Sequence, residues 1–357
     1  MVGCDLHDKS MLLKIAVGRG QSDLVAWGTA SSSRRDMIAD LKKRAARFGA
    51  GRIVFAYEAC GFGFRLHDEL TTAGIEAYVL APSKMERSAK HRKRKTDEKD
   101  AQLILNIVRS YVLAGVEMPA VWVPDLQTRD DRELIRRRLA VAENSSKAQV
   151  RVRWMLKGQG IESSPFDAWT LGYWQWLEGL LATLPTGASS GLASLMREIQ
   201  WLQEELGRLD VQVMAMAASP QYSTLVASLR KHKGVGTLTA MVYLSEMGDL
   251  RRFTNRQQVG SYLGLTPASF ETGETNDRKG HITHQGPARV RKVLCQAVWS
   301  RLRVVESERA SYERLVQRHP KHKKIAVVAR MRTLGIKLWH SGLDAIRASS
   351  AAEAVAV

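Results

Sequence analysis

Cysteine is nearly missing from this chain. Cys4, Cys60 and Cys295 are the only three in 357 residues, too few and too scattered for a disulfide framework or a zinc module, and they fit a reducing cytoplasm. Long apolar runs are absent as well: no stretch approaches the roughly 20 residues that cross a bilayer, and the N-terminus has no signal-peptide core. A cytoplasmic protein with no membrane attachment is therefore expected. Acidic side chains are in deficit, with 36 Asp and Glu against 54 Lys and Arg, a net charge of +18. A surplus of that size marks a chain that meets a polyanion, and nucleic acid is the polyanion expected.

What is present begins with an apolar fraction of 45%, ample for globular cores, over a length that predicts two or three domains. Residues 1–115 read as α/β. "MVGCDLHDK", "MLLKIAVG" and "SDLVAWGTA" are short runs broken by Gly, Asp and Ser, which predicts three consecutive strands. "RRDMIADLKKRAARFG" then places Met37, Ile38, Leu41 and Ala45 at helical spacing and stops at Gly49. "RIVFAYEACG" reads as a buried strand, "FGFRLHDELTTAG" as a helix and "IEAYVLAP" as a strand. Three strands, helix, strand, helix, strand is the order of an RNase H-like domain.

That order gives the acids a meaning. Asp5 falls in the first strand and Glu58 at the end of the fourth, and this topology makes those strands neighbours at the sheet centre. A third element starts in "HRKRKTDEKDAQLI", residues 91–104, where Thr96 or Asp97 can cap a helix whose apolar stripe runs through Ala101, Ile104, Val108 and Tyr111. Asp97 and Asp100 extend that stripe at i, i+3 spacing, toward the sheet. Singly, each acid has an ordinary explanation: Asp97 and Asp100 complement a helix N-terminus, and Asp5 is a turn residue. Together, on elements this topology brings into contact, they read as a hard-oxygen site for Mg2+ or Mn2+ of the two-metal, phosphoryl-transfer kind. Lys90, Arg92, Lys93, Arg94 and Lys95 just before them read as a phosphate-gripping segment, with a solvated basic loop as the alternative.

"GCDLHDK", "YEACGFG" and "KTDEKDA" resemble the DEDD tetrad segments of the IS110-type insertion-sequence transposases, a family of bridge-RNA-guided recombinases related to the Piv DNA invertases. The resemblance implies a RuvC-like N-terminal domain whose catalytic, metal-binding tetrad falls on Asp5, Glu58, Asp97 and Asp100.

Residues 116–222 read as a helical, partly coiled-coil region. From Leu192 the series Leu192, Leu195, Ile199, Leu202, Leu206, Leu209, Val213 and Met216 alternates steps of three and four. The seam needs a partner, either the helix predicted over 129–157, packed antiparallel, or a second copy of the chain. The earlier helix is rich in Arg and Lys, and Arg136, Arg137 and Arg138 are candidate phosphate contacts. Trp154, Trp174 and Trp176 are candidates for base stacking or for core packing.

Residues 223–345 form a mainly α domain, followed by a tail over 346–357. "LRKHKGVGTLTAMVYLSEMG" puts a Gly-Val-Gly turn between helices, either helix-hairpin-helix-like, with amides open to a phosphate, or a plain interhelix turn. From there through "GLTP" and "TGETNDRKGHITHQGPARVRKVLCQAVW" the chain is similar to the family's C-terminal transposase domain. Arg278, Lys279, Arg289, Arg291 and Lys292 are the cations expected to touch nucleic acid there. The family carries its nucleophilic serine before a glycine after "GLTP"; here Thr272 stands before Gly273, with Ser261 and Ser269 as possible substitutes.

The resemblance implies an RNA-guided DNA recombinase that forms a covalent hydroxyl–phosphate intermediate and passes through a Holliday-junction-like state. It implies double-stranded donor and target DNA, a structured guide (bridge) RNA, a dimer or tetramer, and association with the bacterial nucleoid during action. Two other readings stay open: a metal-dependent, structure-selective DNA nuclease of the junction-resolvase type, and a non-catalytic nucleic-acid scaffold.

Overall fold

The structure, a computed structural model, describes residues 1–85, 96–269, 279–318 and 320–355. It divides into two compact units, Met1–Pro124 and Asp125–Val357.

The first unit is built on a five-stranded sheet of order β3-β2-β1-β4-β5. β1 (Val2–Leu6), β2 (Ser10–Ala16) and β3 (Ser22–Gly28) form an antiparallel meander, while β4 (Val54–Glu58) runs parallel to β1 and β5 (Glu76–Leu80) parallel to β4. α1 (Ser31–Arg47) connects β3 to β4, α2 (Arg65–Thr72) connects β4 to β5, and α3 (Asp97–Ala114) follows. The strand and helix order is the one read from the sequence.

Alternation along the strands sorts the side chains to two faces. Val2, Cys4, Phe55 and Tyr57 pack with Met37 and Leu41 of α1 and Leu66 and Leu70 of α2. Val54 and Ala56 face the other way, onto Ile104 and Val108 of α3. α3 begins at Thr96, whose side chain accepts from the Lys99 N–H, and ends at Gly115 in the left-handed conformation that glycine adopts without strain. The predicted stripe is buried at Ala101, Ile104 and Val108.

This unit does not end at residue 115. The chain turns back along β5, where the Val121 N–H donates to Val79 O (2.8 Å) and the Ala81 N–H to Pro119 O (2.8 Å), so the boundary lies after Pro124. Met118, Val121 and Val123 pack on the unit's cores, a covering role that leaves no periodicity in so short a segment.

The second unit opens with two long helices, α4 (Leu126–Gly158) and α6 (Thr186–Ala218), bridged by α5 (Leu171–Leu180). They run antiparallel: Arg138 pairs with Asp210 (2.8 Å), and Arg151, further along α4, pairs with Glu198, earlier in α6 (3.7 Å). Leu192, Ile199, Leu202 and Leu209 of the seam are buried against Val141, Ala148, Val152 and Leu156. The seam's partner is thus within the chain. Trp174 and Trp176 pack on this core, whereas Trp154 is 67% exposed, with the Lys157 ammonium 5.2 Å from its ring centroid.

No boundary falls at residue 222. Ile135 of α4 and Val213 and Ala217 of α6 belong to one core with α7 (Ser223–Arg230), the central α8 (Thr237–Met247), α9 (Arg256–Tyr262), α10 (Ala288–Val304) and α12 (Lys323–Val355). Against it also lie α11 (Glu306–Arg318) and a hairpin of β6 (Pro267–Ser269) with β7 (Lys279–Ile282). The Gly-Val-Gly segment is a packing turn. A side chain at Gly234 would meet Ala297 O of α10 at 2.8 Å, Val235 is buried, and Lys233 O accepts from Arg301.

Candidate metal centre and nucleic-acid interface

The site is set by how closely α3 crosses β1. A Cβ at Gly3 would overlap the backbone nitrogen of Leu105 and sit 2.5 Å from Ala101 O, so only glycine lets the helix lie there. Two residues along the same face is Asp5, buried, and one turn before Ala101 stands Asp97. Pairing aligns Cys4 with Tyr57, so Asp5 and Glu58 come next on adjacent strands. Since Val54 and Ala56 face α3, alternation puts Glu58 on that face too.

His7 joins the group. Its Nε2 lies 3.1 Å from Asp5 Oδ2 and 3.4 Å from Asp97 Oδ1. Burial pushes the Asp5 carboxyl up; His7 acts to lower it, and the Asp100 and Asp97 charges raise it further, so the net shift is upward. The cluster gathers like charge around a buried carboxylate. With hard carboxylate oxygens and one imidazole nitrogen as donors, it fits a divalent cation. The sequence reading named the four acids and passed over His7. The signal was available, because a D-x-H spacing at a strand end puts both side chains on one face.

The predicted cations fare differently. Arg136 donates to both carboxylate oxygens of buried Glu246 (2.9 and 3.0 Å), with Arg289 3.8 Å from the same group. Burial works to raise the Glu246 pKa, yet Arg136, Arg132 and Arg289 together hold it below its ordinary range. Arg138 is bidentate on Asp210, and Arg291 donates to the carbonyls of Leu263, Gln285 and Gly286. These three guanidiniums thus have partners within the fold. Arg137 and Lys292 are exposed. Lys279 opens β7. Lys90, Arg92, Lys93, Arg94, Lys95, Thr272 and Arg278 lie outside the described residues, while Ser261 is exposed on α9 and Ser269 ends β6.

One basic feature escaped the sequence reading. Arg256, Lys321, Lys323, Lys324 and Arg332 line a cleft beside the β6–β7 hairpin, over an apolar floor that includes Leu265 and Val328. No carboxylate lines it among the described residues. Lys321, Lys323 and Lys324 form a short basic run in "HPKHKK", but Arg256 of α9 and Arg332 of α12 join them only through the fold.

Comparison with known proteins gives this arrangement its class. Residues 2–160 match a family profile described as a DEDD transposase of the IS110 type, and residues 226–313 match one described as the transposase IS116/IS110/IS902 family. The class is that of the transposases, enzymes that transfer DNA strands. The chain belongs to the IS110/IS116/IS902 family. A Sinorhizobium fredii protein named as a transposase, y4qE, is 29% identical over 301 residues, 84% of this chain and 71% of its own length. The transposase of insertion sequence element IS1533 from Leptospira borgpetersenii is 25% identical over 68% of this chain and 69% of its own length. That of IS1111A from Coxiella burnetii is 22% identical over 79% and 74%. The first profile runs past Pro124 to the end of α4, across the boundary between the two structural units. Among the described residues no helix is long and apolar enough to cross a membrane.

Proposed function

We propose that this transposase is an RNA-guided DNA recombinase in which an RNase H-like (RuvC-like) first unit holds the metal and the second unit brings the nucleophile. The observation that supports it most is the meeting of Asp5 and Asp97 around one point, with Asp100 raising the Asp5 pKa from the same helix turn. Asp5, Glu58, Asp97 and Asp100 would hold Mg2+ or Mn2+, which when bound neutralises charge building on a scissile phosphate.

The Thr272 hydroxyl attacks phosphorus and loses its proton to solvent. A phosphoester forms between its oxygen and one strand end, while the bond to the neighbouring nucleotide's oxygen breaks and frees a hydroxyl. Attack by a hydroxyl of a second strand on that ester rejoins the DNA and restores threonine. Two such exchanges pass through a Holliday-junction-like state. The cleft cations Arg256, Lys321, Lys323, Lys324 and Arg332 take strand backbone, and base pairing to a structured guide RNA selects donor and target. A dimer or tetramer is part of the proposal, as the family resemblance implies.

The test is a denaturant-resistant protein–DNA adduct formed with Mg2+, DNA and RNA transcribed from the flank of the element. Thr272→Ala abolishes it, whereas Thr272→Ser retains it. An adduct lost instead with Ser261→Ala or Ser269→Ala moves the nucleophile. DNA cleavage with no adduct from any variant supports the nuclease, and intact activity in Asp97→Ala supports the scaffold. Equal affinity for flank RNA and an unrelated RNA of the same length, at one salt concentration, removes the guide.

A further inference from the structure

We propose that His7 is itself a ligand of the divalent cation, so that the centre has a mixed oxygen and nitrogen donor set and favours Mn2+ over Mg2+. The proposal rests on the metal-site reading above and adds to it the identity of a donor.

His7 is anchored before any metal arrives. Its backbone N–H donates to Ser10 O (2.9 Å) in the turn from β1 to β2, and its side chain leaves on the same side as that of Asp5. The side chain is 47% exposed, so apolar packing does not call for an imidazole there. One nitrogen, Nε2, approaches two carboxylates carried by different elements, β1 and α3, at 3.1 and 3.4 Å. A single N–H serves one such acceptor well, and two are more than a plain Asp–His hydrogen bond explains.

The distances match a shared ion. A cation that holds its ligands at about 2.1 Å in octahedral geometry keeps neighbouring ligands about 3.0 Å apart, the right-angle edge of the polyhedron. The donor atoms of Asp5, His7 and Asp97 all lie within 4.8 Å of one another, near the roughly 4.2 Å that separates opposite ligands of such an ion. Mg2+ is matched by oxygen and water and gains little from imidazole, whereas Mn2+ is better matched to a mixed set.

Pulsed electron paramagnetic resonance of the full chain with Mn2+ tests this directly. The expected spectrum shows coupling to a directly bound 14N nucleus. The coupling changes to that of 15N when the protein carries 15N-labelled histidine. His7→Ala removes it and weakens Mn2+ binding on the order of tenfold, with a smaller change for Mg2+. Mn2+ bound through Asp5 and Asp97 with no nitrogen coupling overturns the His7 assignment and leaves the carboxylate site standing. Coupling that persists in His7→Ala overturns it too. If the wild-type chain binds no Mn2+, or binds it unchanged after Asp5→Asn and Asp97→Asn together, the carboxylate site and the His7 assignment both fall.

Discussion

Gly3 of β1 and Leu105 of α3 are in backbone contact, with no room for a Cβ between them. This crossing brings the start of α3, and with it Asp97, over Asp5. Gly3→Ala is expected to push α3 away from β1, because the obstacle is helix backbone and not the end of a flexible side chain. Overpacking of this kind costs about 1–3 kcal/mol. Thermal unfolding checks the stability, and Mn2+ titration of the folded fraction should show weakened binding although no ligand has been altered.

Asp5→Asn separates binding from stability. The Asp5 carboxylate is buried and sits near the charges of Asp97 and Asp100. Removing its charge should raise the melting temperature of the metal-free protein while abolishing the further rise that Mn2+ gives the wild type. Transposition should fall at least about a hundredfold, in keeping with the loss of a metal-centre group. Equal Mn2+ stabilisation of the two proteins would show that Asp5 holds no metal.

In the second unit, Glu308 gathers Arg301 (2.9 Å), Lys337 (2.9 Å) and Arg330. Burial acts to raise its pKa, but hydrogen bonds from the three cations bring it down to about 2, from an ordinary 4.5. A folded-state pKa below the unfolded one means stabilisation that is complete above about pH 4.5 and disappears as the pH falls toward 2. Glu308→Gln, which leaves three cations together, should cost about 3–5 kcal/mol at pH 7. The deficit should shrink when denaturant melts are repeated at pH 3.

Leu202→Asp tests the long seam. Leu202 packs inside the antiparallel α4–α6 pair, so the substitution should lower the melting temperature by several degrees at every protein concentration. A loss that appears only at low concentration, with dissociation seen by light scattering, would place the seam between copies.

How far the site was legible depended on the range of the interaction. Asp5, Glu58, Asp97 and Asp100 stood out because three strands, helix, strand, helix, strand fixes which strands are neighbours. The D-x-H spacing ties His7 to Asp5 locally, but its second partner, Asp97, lies 90 positions away. The Arg-rich helix is legible in part for a related reason: composition records that Arg136 and Arg138 are cationic, while their partners Glu246 and Asp210 are brought close only by α8 and α6.

By itself the sequence determined the elements and their faces. Alternation in "VFAYE", the cap at Thr96 and the three–four spacing from Leu192 act between near neighbours, where covalent geometry leaves few choices. Only the tertiary structure decided what each face meets: that the seam of α6 is spent on α4, that Gly234 turns toward α10, and that β1 passes α3 at Gly3 closely enough to bring Asp5 and Asp97 to the same ring nitrogen of His7. Such contacts join residues far apart in the chain, so they depend on how whole layers pack and not on any local pattern.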